Sequence, residues 1–224
     1  MTYTLTLQSI EPVTHDTYHL VFNKPEGYTY TPGQACDVAL VKEGWREEQR
    51  PFTFTGLPTN PTLEFVIKTY PDHNGVTDQI AGLQMTDQVE ISDAWGAIED
   101  KGPGVFIAGG AGVTPFIAIL KRRLQTYGTL EDCHLVFSNK TEQDIILRDA
   151  FISMPGLNCH FVVTDDPDSE FAREQIDKDY LAPIVEGTDG PIYVCGPEAM
   201  IEDVVSALKA LKVPEDRIVT EDLG

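Results

Sequence analysis

Gly109-Gly110-Ala111-Gly112-Val113-Thr114-Pro115 gathers three glycines, a hydroxyl and a proline into seven residues. Glycine lets a ligand come close to the backbone, and the free N–H groups and dipole of a helix N-terminus attract phosphate. The segment is a candidate pyrophosphate cradle, although its spacing is not G-x-G-x-x-G. The alternative reading is a tight strand-to-helix turn without a ligand. The apolar run Val105-Phe106-Ile107-Ala108 before it reads as a buried strand. Phe116 to Leu120, then Leu124 and Tyr127, follow at helical spacing. Thr114 is expected to cap that helix through its hydroxyl, and Pro115 to take the first helical position, where no N–H is needed.

The design recurs in Tyr193-Val194-Cys195-Gly196-Pro197-Glu198-Ala199-Met200. A strand ends at Cys195, Gly196 turns, and Pro197 opens a helix with an apolar stripe at Met200, Val204, Leu208 and Leu211. Cys195 therefore lies at the carboxyl end of a strand, the end at which open α/β sheets bind ligands. Upstream, Arg50-Pro51-Phe52-Thr53-Phe54-Thr55 has strand composition. Arg50 on such a strand could hold a diphosphate bidentately.

These three motifs, in this order, resemble the ferredoxin–NADP reductase superfamily of flavoenzymes. Its pattern is Arg-x-Tyr-Ser/Thr for the flavin, a Gly-rich T-P loop for the pyridine nucleotide, and C-G-P-x-x-M near the nicotinamide. Arg50 to Thr53 matches the first with Phe52 in place of Tyr, which keeps the ring stack and loses the phenol's hydrogen bond. Gly110 to Pro115 matches the second, and Cys195 to Met200 the third in full. The resemblance runs from about Thr4 to Val219 and is closest to the compact bacterial flavodoxin/ferredoxin reductase-like proteins.

The resemblance implies roles residue by residue. Arg50, beside Pro51, would hold the flavin phosphate, Phe52 would face the isoalloxazine, and Thr53 would hydrogen-bond near flavin N5. Val66, Ile67 and Lys68 would line the flavin. In Asn74-Gly75-Val76-Thr77, the Gly75, Val76 and Thr77 turn would bind a pyrophosphate, which makes the flavin FAD. Gly110, Ala111, Gly112, Val113 and Thr114 would wrap the pyrophosphate of NADH or NADPH, and Ser138, Asn139 and Lys140 would meet the adenosine ribose. Cys195, Gly196, Pro197 and Met200 would lie at the nicotinamide, with Cys195 orienting the ring rather than acting as a nucleophile. Trp95 of Trp95-Gly96-Ala97 fits packing and ligand contact equally. Asp165, Asp166 and Asp168 stand where NADP-specific relatives often carry Arg. Lys140 and Ser138 oppose these acids, so the balance leans only slightly to NADH. The final residues, Thr220 to Gly224, lack the terminal aromatic that shields the flavin in some relatives, and Glu221 among them could approach the active site.

The implied activity is that of an FAD-dependent NAD(P)H oxidoreductase. It would pass hydride from nicotinamide to flavin N5 and then single electrons to a small carrier protein, flavodoxin or ferredoxin. One rival is the reductase component of an oxygenase system. Another is an electron-transfer or binding subunit of a larger complex without turnover of its own.

Composition narrows the classes further. A net charge of −20 over 224 residues, spread over both halves, makes nucleic acid and anionic membrane unfavourable partners. No apolar run approaches the ~20 residues that span a bilayer, and Met1 to Leu7 has no secretory pattern. Cys36, Cys133, Cys159 and Cys195 are far apart, which argues against a zinc or iron–sulfur site and for a reduced, cytoplasmic protein. The five histidines show no metal spacing, and His73 reads as a loop residue. The acid excess poses a docking problem, because flavodoxins and ferredoxins are usually acidic too. Lys121-Arg122-Arg123 is the one basic run.

Positioning these residues calls for two domains, 1–100 and 103–224. In the first, strands are expected at Thr4–Gln8, Thr17–Phe22, Ala35–Val41, Arg50–Thr55, Leu63–Thr69 and Gln88–Ser92, punctuated by Pro/Gly/Asn turns. A short helix is expected at Val76–Leu83. This predicts an antiparallel Greek-key β-barrel. After Lys101-Gly102-Pro103-Gly104 the pattern alternates. Strands are expected at Val105–Ala108, His134–Ser138, His160–Thr164, Ile192–Cys195 and Arg217–Thr220. Helices are expected at Pro115–Tyr127, Asp144–Phe151, Ile176–Leu181 and Pro197–Leu211. This predicts an α/β domain with a parallel sheet.

Overall fold

Short runs, alternating apolar and polar in Tyr3 to Leu7 and in Gln88 to Ile91, form six strands among the described residues of the first half. They are β1 (Tyr3–Pro12), β2 (Thr17–Asn23), β3 (Ala35–Leu40), β4 (Arg50–Thr53), β5 (Thr62–Lys68) and β6 (Gln88–Ile91). The computed structural model describes residues 1–70, 75–96 and 98–221. The strands form one antiparallel sheet in the order β4-β3-β6-β1-β2-β5. A lone bridge between Phe54 and Phe65 brings the two edges together and nearly closes a barrel. Leu5, Leu20, Phe54 and Phe65 fill its interior, and α1 (Val76–Ile80) adds Val76 and Ile80 to the same core.

β5 serves two cores at once. Successive strand residues point to opposite faces. Leu63, Phe65 and Ile67 lie in the barrel core, while Val66 is buried among residues of the second half, Phe116 and Leu120 among them.

The second half holds β7 (Val105–Gly109), α2 (Thr114–Tyr127), β8 (His134–Asn139), α3 (Arg148–Ile152), β9 (Asn158–Val163), α4 (Lys178–Val185), β10 (Ile192–Cys195), α5 (Glu198–Ala210) and β11 (Ile218–Thr220). Its five strands are parallel, in the order β11-β10-β7-β8-β9. α2 and α3 pack on one face, and α4 and α5 on the other. Strand order reverses at β7, so a crevice opens at the carboxyl ends of β7 and β10, the switch point that binds ligands in such sheets. Residues 92–104 join the halves. Arg123 pins this connection through Asp100 at 2.7 Å, and the Tyr193 hydroxyl accepts from Lys101 N and donates to Gly102 O.

Several local expectations are corrected. Thr114 does not cap α2: it is already helical, and its hydroxyl donates to Ala111 O at 3.0 Å. A 3-10 turn over Gly110–Val113 leads into α2, so Pro115 stands second in the helix. The helix expected at Asp144–Phe151 is split. A 3-10 turn at Glu142–Asp144 ends in an extended Ile145, Leu147 adopts a left-handed conformation, and α3 starts at Arg148. β1 continues past Gln8 through a bulge between Leu7 and Ser9. α1 stops at Ile80 rather than Leu83, and α4 starts at Lys178, beyond Ile176. The readings placed on His73, Asn74, Ala97 and Asp222 to Gly224 lie outside the described residues.

Candidate functional site

A cleft of about 1220 Å³ opens between the barrel and the carboxyl ends of β7, β8 and β10. The barrel contributes Pro51, Phe52 and Thr53 from β4, Val66, Ile67 and Lys68 from β5, Thr77 from α1, and Trp95. The second half contributes Gly110, Ala111, Gly112 and Thr114, then Ser138, Asn139 and Lys140, then Cys195, Gly196, Pro197 and Met200. The three sequence motifs thus share one cavity. Four of the named residues do not line it. Val76 and Val113 are buried in the two cores, Gly75 precedes α1 as its N-cap, and Arg50 faces solvent. The Arg50 guanidinium bonds Glu48 at 3.2 Å and Gln49 O at 2.7 Å. Both partners of this ion pair are about half exposed, and such a pair holds at most ~1 kcal/mol, so Arg50 is easily released to a stronger anion.

The glycine-rich turn is shaped for close approach. Gly110 has φ +51, and a β-carbon there would meet nothing within 4 Å. The first N–H groups of a helix have no intrahelical acceptor. Here the helical backbone opens with the 3-10 turn Gly110–Val113, whose own first N–H groups lie at this open space, a fit for a pyrophosphate, while the Thr114 N–H is already bonded to Ala111 O. Behind them, Asn139 is 6% exposed, and neither its amide nitrogen nor its oxygen has a partner among the described residues. A buried orphan amide costs ~1–3 kcal/mol, and Asn139 ends β8 on the wall of the cleft. For a flavin, Phe52 and the 43% exposed Trp95 offer ring surface on the barrel wall. Trp95 also donates from Nε1 to Asp37.

Cys195 and Glu221 form the polar centre on the second half. The thiol donates to Glu221 Oε2 at 3.8 Å. Burial pushes the Cys195 thiol well above its ordinary value, and Glu221 adds to that. Burial also holds the Glu221 carboxyl above the usual range, with the thiol contact opposing. Cys195 is thus a neutral thiol rather than a thiolate nucleophile. Glu221 follows β11, which pairs with β10, and that pairing carries it to the thiol.

Other cleft residues were missed in the sequence. His15 and Asp16, at the β1–β2 turn, reach the cavity beside Lys68 and Asp144. Asp144 had a signal in Thr141-x-x-Asp144, a capping pattern that the structure forms in both directions. Of the three acids at the end of β9, only Asp165 borders the cleft, opposite Lys140, whose carbonyl accepts its N–H. The basic run Lys121-Arg122-Arg123 is not a surface patch. Lys121 bonds Thr55 O, Arg123 is 9% exposed against Asp100, and Arg122 alone faces solvent.

Residues 106–206 match the family model described as an oxidoreductase NAD-binding domain. NADH-cytochrome b5 reductase 2 of Mycosarcoma maydis is 28% identical over 89% of this chain and 63% of its own length. The reductase component of propane 2-monooxygenase from Rhodococcus jostii (strain RHA1) is 28% identical over 93% and 60%. The chain therefore spans about three fifths of the length of such relatives. A ferredoxin NADP+ reductase from Neisseria gonorrhoeae, solved with bound FAD and NADP, superposes with a TM-score of 0.82 at 17% identity, covering 98% of this chain and 97% of that one. The CS-b5R domains of human Ncb5or, in an NAD+ form, give 0.85 at 26% identity over 98% and 69%. The fold is the two-domain fold of the ferredoxin–NADP reductase-like proteins, an antiparallel barrel followed by a five-stranded parallel sheet.

Proposed function

We propose that the chain is an FAD-dependent NAD(P)H oxidoreductase that feeds electrons to a protein acceptor. The observation that carries this reading is the convergence of Thr53, from the barrel, with Cys195 and Glu221, from the other half, on one cleft. Bound FAD would supply the chemistry, taking a hydride at N5 from the nicotinamide and releasing electrons singly. Thr53 offers a hydroxyl at the ring position, and Phe52 and Trp95 flank it. Arg50, once free of Glu48, and the Gly75–Thr77 turn, of which Thr77 lines the cleft, would hold the diphosphate. The Gly110–Thr114 turn holds the nucleotide pyrophosphate. Cys195, neutral and backed by Glu221, orients the nicotinamide.

Asp165 at the adenosine end supports a preference for NADH, with Lys140 as the counterweight. The acceptor is a small redox carrier, flavodoxin or ferredoxin, or an oxygenase. The oxygenase reading is favoured by relatives named as reductase components. A cytoplasmic location agrees with four free cysteines, three of them buried. Among the described residues no helix is long and apolar enough to cross a membrane.

The test is an absorbance spectrum of the purified protein, with mass spectrometry of whatever denaturation releases. Flavin bands bleached by NADH or NADPH, and FAD in the released fraction, are the expected outcome. A colourless protein that takes up no added FAD refutes the reading, and FMN alone refutes the role of the Gly75–Thr77 turn.

A further inference from the structure

The outward residues of β5 meet the second half in the order charge, apolar, charge. Glu64 Oε2 lies 3.9 Å from Lys121 Nζ on α2, and that ammonium donates to Thr55 O at 3.0 Å. Val66, two residues on, is 5% exposed within the core of the second half. Lys68, two further, places Nζ 3.2 Å from Asp144 Oδ1 and 2.9 Å from Asp16 Oδ2. Each half therefore sends one lysine onto the other, at opposite ends of a single strand face. The groups at the Lys68 end are largely buried, with side chains 12–19% exposed, so salt screens them less than a surface pair. Burial opposes the charge on Lys68, but Asp16 and Asp144 outweigh it and hold the ammonium above its ordinary value. His15 Nε2 completes the group at 3.6 and 3.9 Å from the two carboxylates. The lysine ammonium lies against both carboxylates.

We infer that this face of β5 sets the distance between the two ring sites, with Asp144 and Lys121 as positioning residues. It rests on the reading of the cleft as a flavin and nicotinamide site. Thr53 belongs to the half that carries Glu64 and Lys68, and Cys195 to the half that carries Lys121 and Asp144. Two ionic contacts separated by a buried valine resist both sliding and opening of one half against the other. Hydride transfer needs its atoms about 3–3.5 Å apart, and a shift of ~1 Å costs on the order of 10²-fold. The clamp therefore acts on rate at saturation rather than on affinity.

Asp144→Asn and Lys121→Met, singly and combined in the FAD-loaded protein, test this. The readouts are FAD content, KM for NADH, flavin bleaching rate at saturating NADH in stopped flow, and radius of gyration by small-angle X-ray scattering. Expected are FAD content and KM near the parent's, with bleaching slowed at least ~10-fold in each variant and more in the pair, as misplacement rather than lost binding dictates. The radius of gyration should grow in the double variant, and Lys121→Arg, which keeps charge and reach, should restore the rate. A lowered melting temperature with an unchanged bleaching rate overturns the inference, because the contacts would then only hold the fold together. A parent protein that no nicotinamide nucleotide bleaches sinks the underlying reading instead. The scattering arm still decides the clamp in that case, and an unchanged radius in the double variant overturns it.

Discussion

A β-carbon on Gly112 would lie 2.5 Å from the carbonyl carbon of Cys195. The two glycine motifs are therefore pressed together backbone to backbone, and a β-carbon on Gly109 would likewise overlap the sulfur of Met200. The end of β7 and the end of β10 abut only because neither glycine carries a side chain. Gly112→Ala must push the Cys195 strand end away. It is expected to slow flavin bleaching by NADH and to lower stability by about 1–3 kcal/mol, the usual cost of overpacking. Stopped-flow rates and chemical denaturation check both.

The Cys195–Glu221 pair separates orientation from ionisation. Cys195→Ser should slow flavin reduction while FAD content stays the same, and normal rates would mean the thiol is only structural. With its thiol pushed up and 5% exposed, Cys195 should also resist alkylation at neutral pH far better than a free cysteine, which mass spectrometry of iodoacetamide-treated protein reads directly.

Glu221 gives a pH dependence with a definite sign. Its folded-state carboxyl titrates above the ordinary 4.5, so folding favours the protonated form. Its contribution to stability is fully present below that ordinary value and is lost as pH rises through the folded one. Glu221→Gln escapes the loss. The variant should melt higher than the parent near neutral pH, and the gap should close in acidic buffer. A constant gap across the pH range would contradict the assignment.

The opposite sign belongs to the histidine pair at the far end of the sheet. His134 Nδ1 and His160 Nε2 are 3.1 Å apart on neighbouring strands β8 and β9. Burial, and then His134, hold His160 below its ordinary 6.5. Stability should fall as pH drops below that ordinary value, because the unfolded chain takes up the proton more readily. His160→Gln should flatten this part of a melting-temperature profile.

For the nucleotide, Asp165 is the residue to change. A 2′-phosphate about 6 Å from a carboxylate costs on the order of 0.7–3 kcal/mol per unit charge pair, roughly 3- to 150-fold in affinity. Asp165→Ser should raise kcat/KM for NADPH and leave that for NADH nearly unchanged. A strong NADPH preference in the parent, weakening as salt rises, would show that Lys140 faces the ribose and would overturn the NADH proposal.

Much of this was legible in the residues. Alternating runs such as Tyr3 to Leu7 and the glycine turns before two apolar helices mark strands and strand ends without tertiary information. What stayed hidden depends on distance along the chain. Thr114 looks like a cap, yet the 3-10 turn before it already supplies the helical geometry. Lys121 and Arg123 read as a basic surface, yet their partners Glu64 and Asp100 lie far off in sequence. Glu221 could be placed near the site from its position by the chain end, but its contact with the Cys195 thiol depends on β11 pairing with β10. Arg50 matches a phosphate-binding motif, but its rotamer follows the nearby Glu48.

The alternation along β5 has a thermodynamic consequence. Phe65 and Ile67 are part of one hydrophobic core and Val66, between them, is part of the other. The border between the halves thus runs down the middle of a strand and not only through the connecting segment. Melting either core strips a neighbour from the other, so the two halves should unfold as one cooperative unit, with a single calorimetric endotherm whose van't Hoff and measured enthalpies agree. Neither half is then a cassette to be exchanged alone, and grafting a foreign barrel onto this nucleotide domain would have to bring along a strand whose outer face reads Glu, Val, Lys.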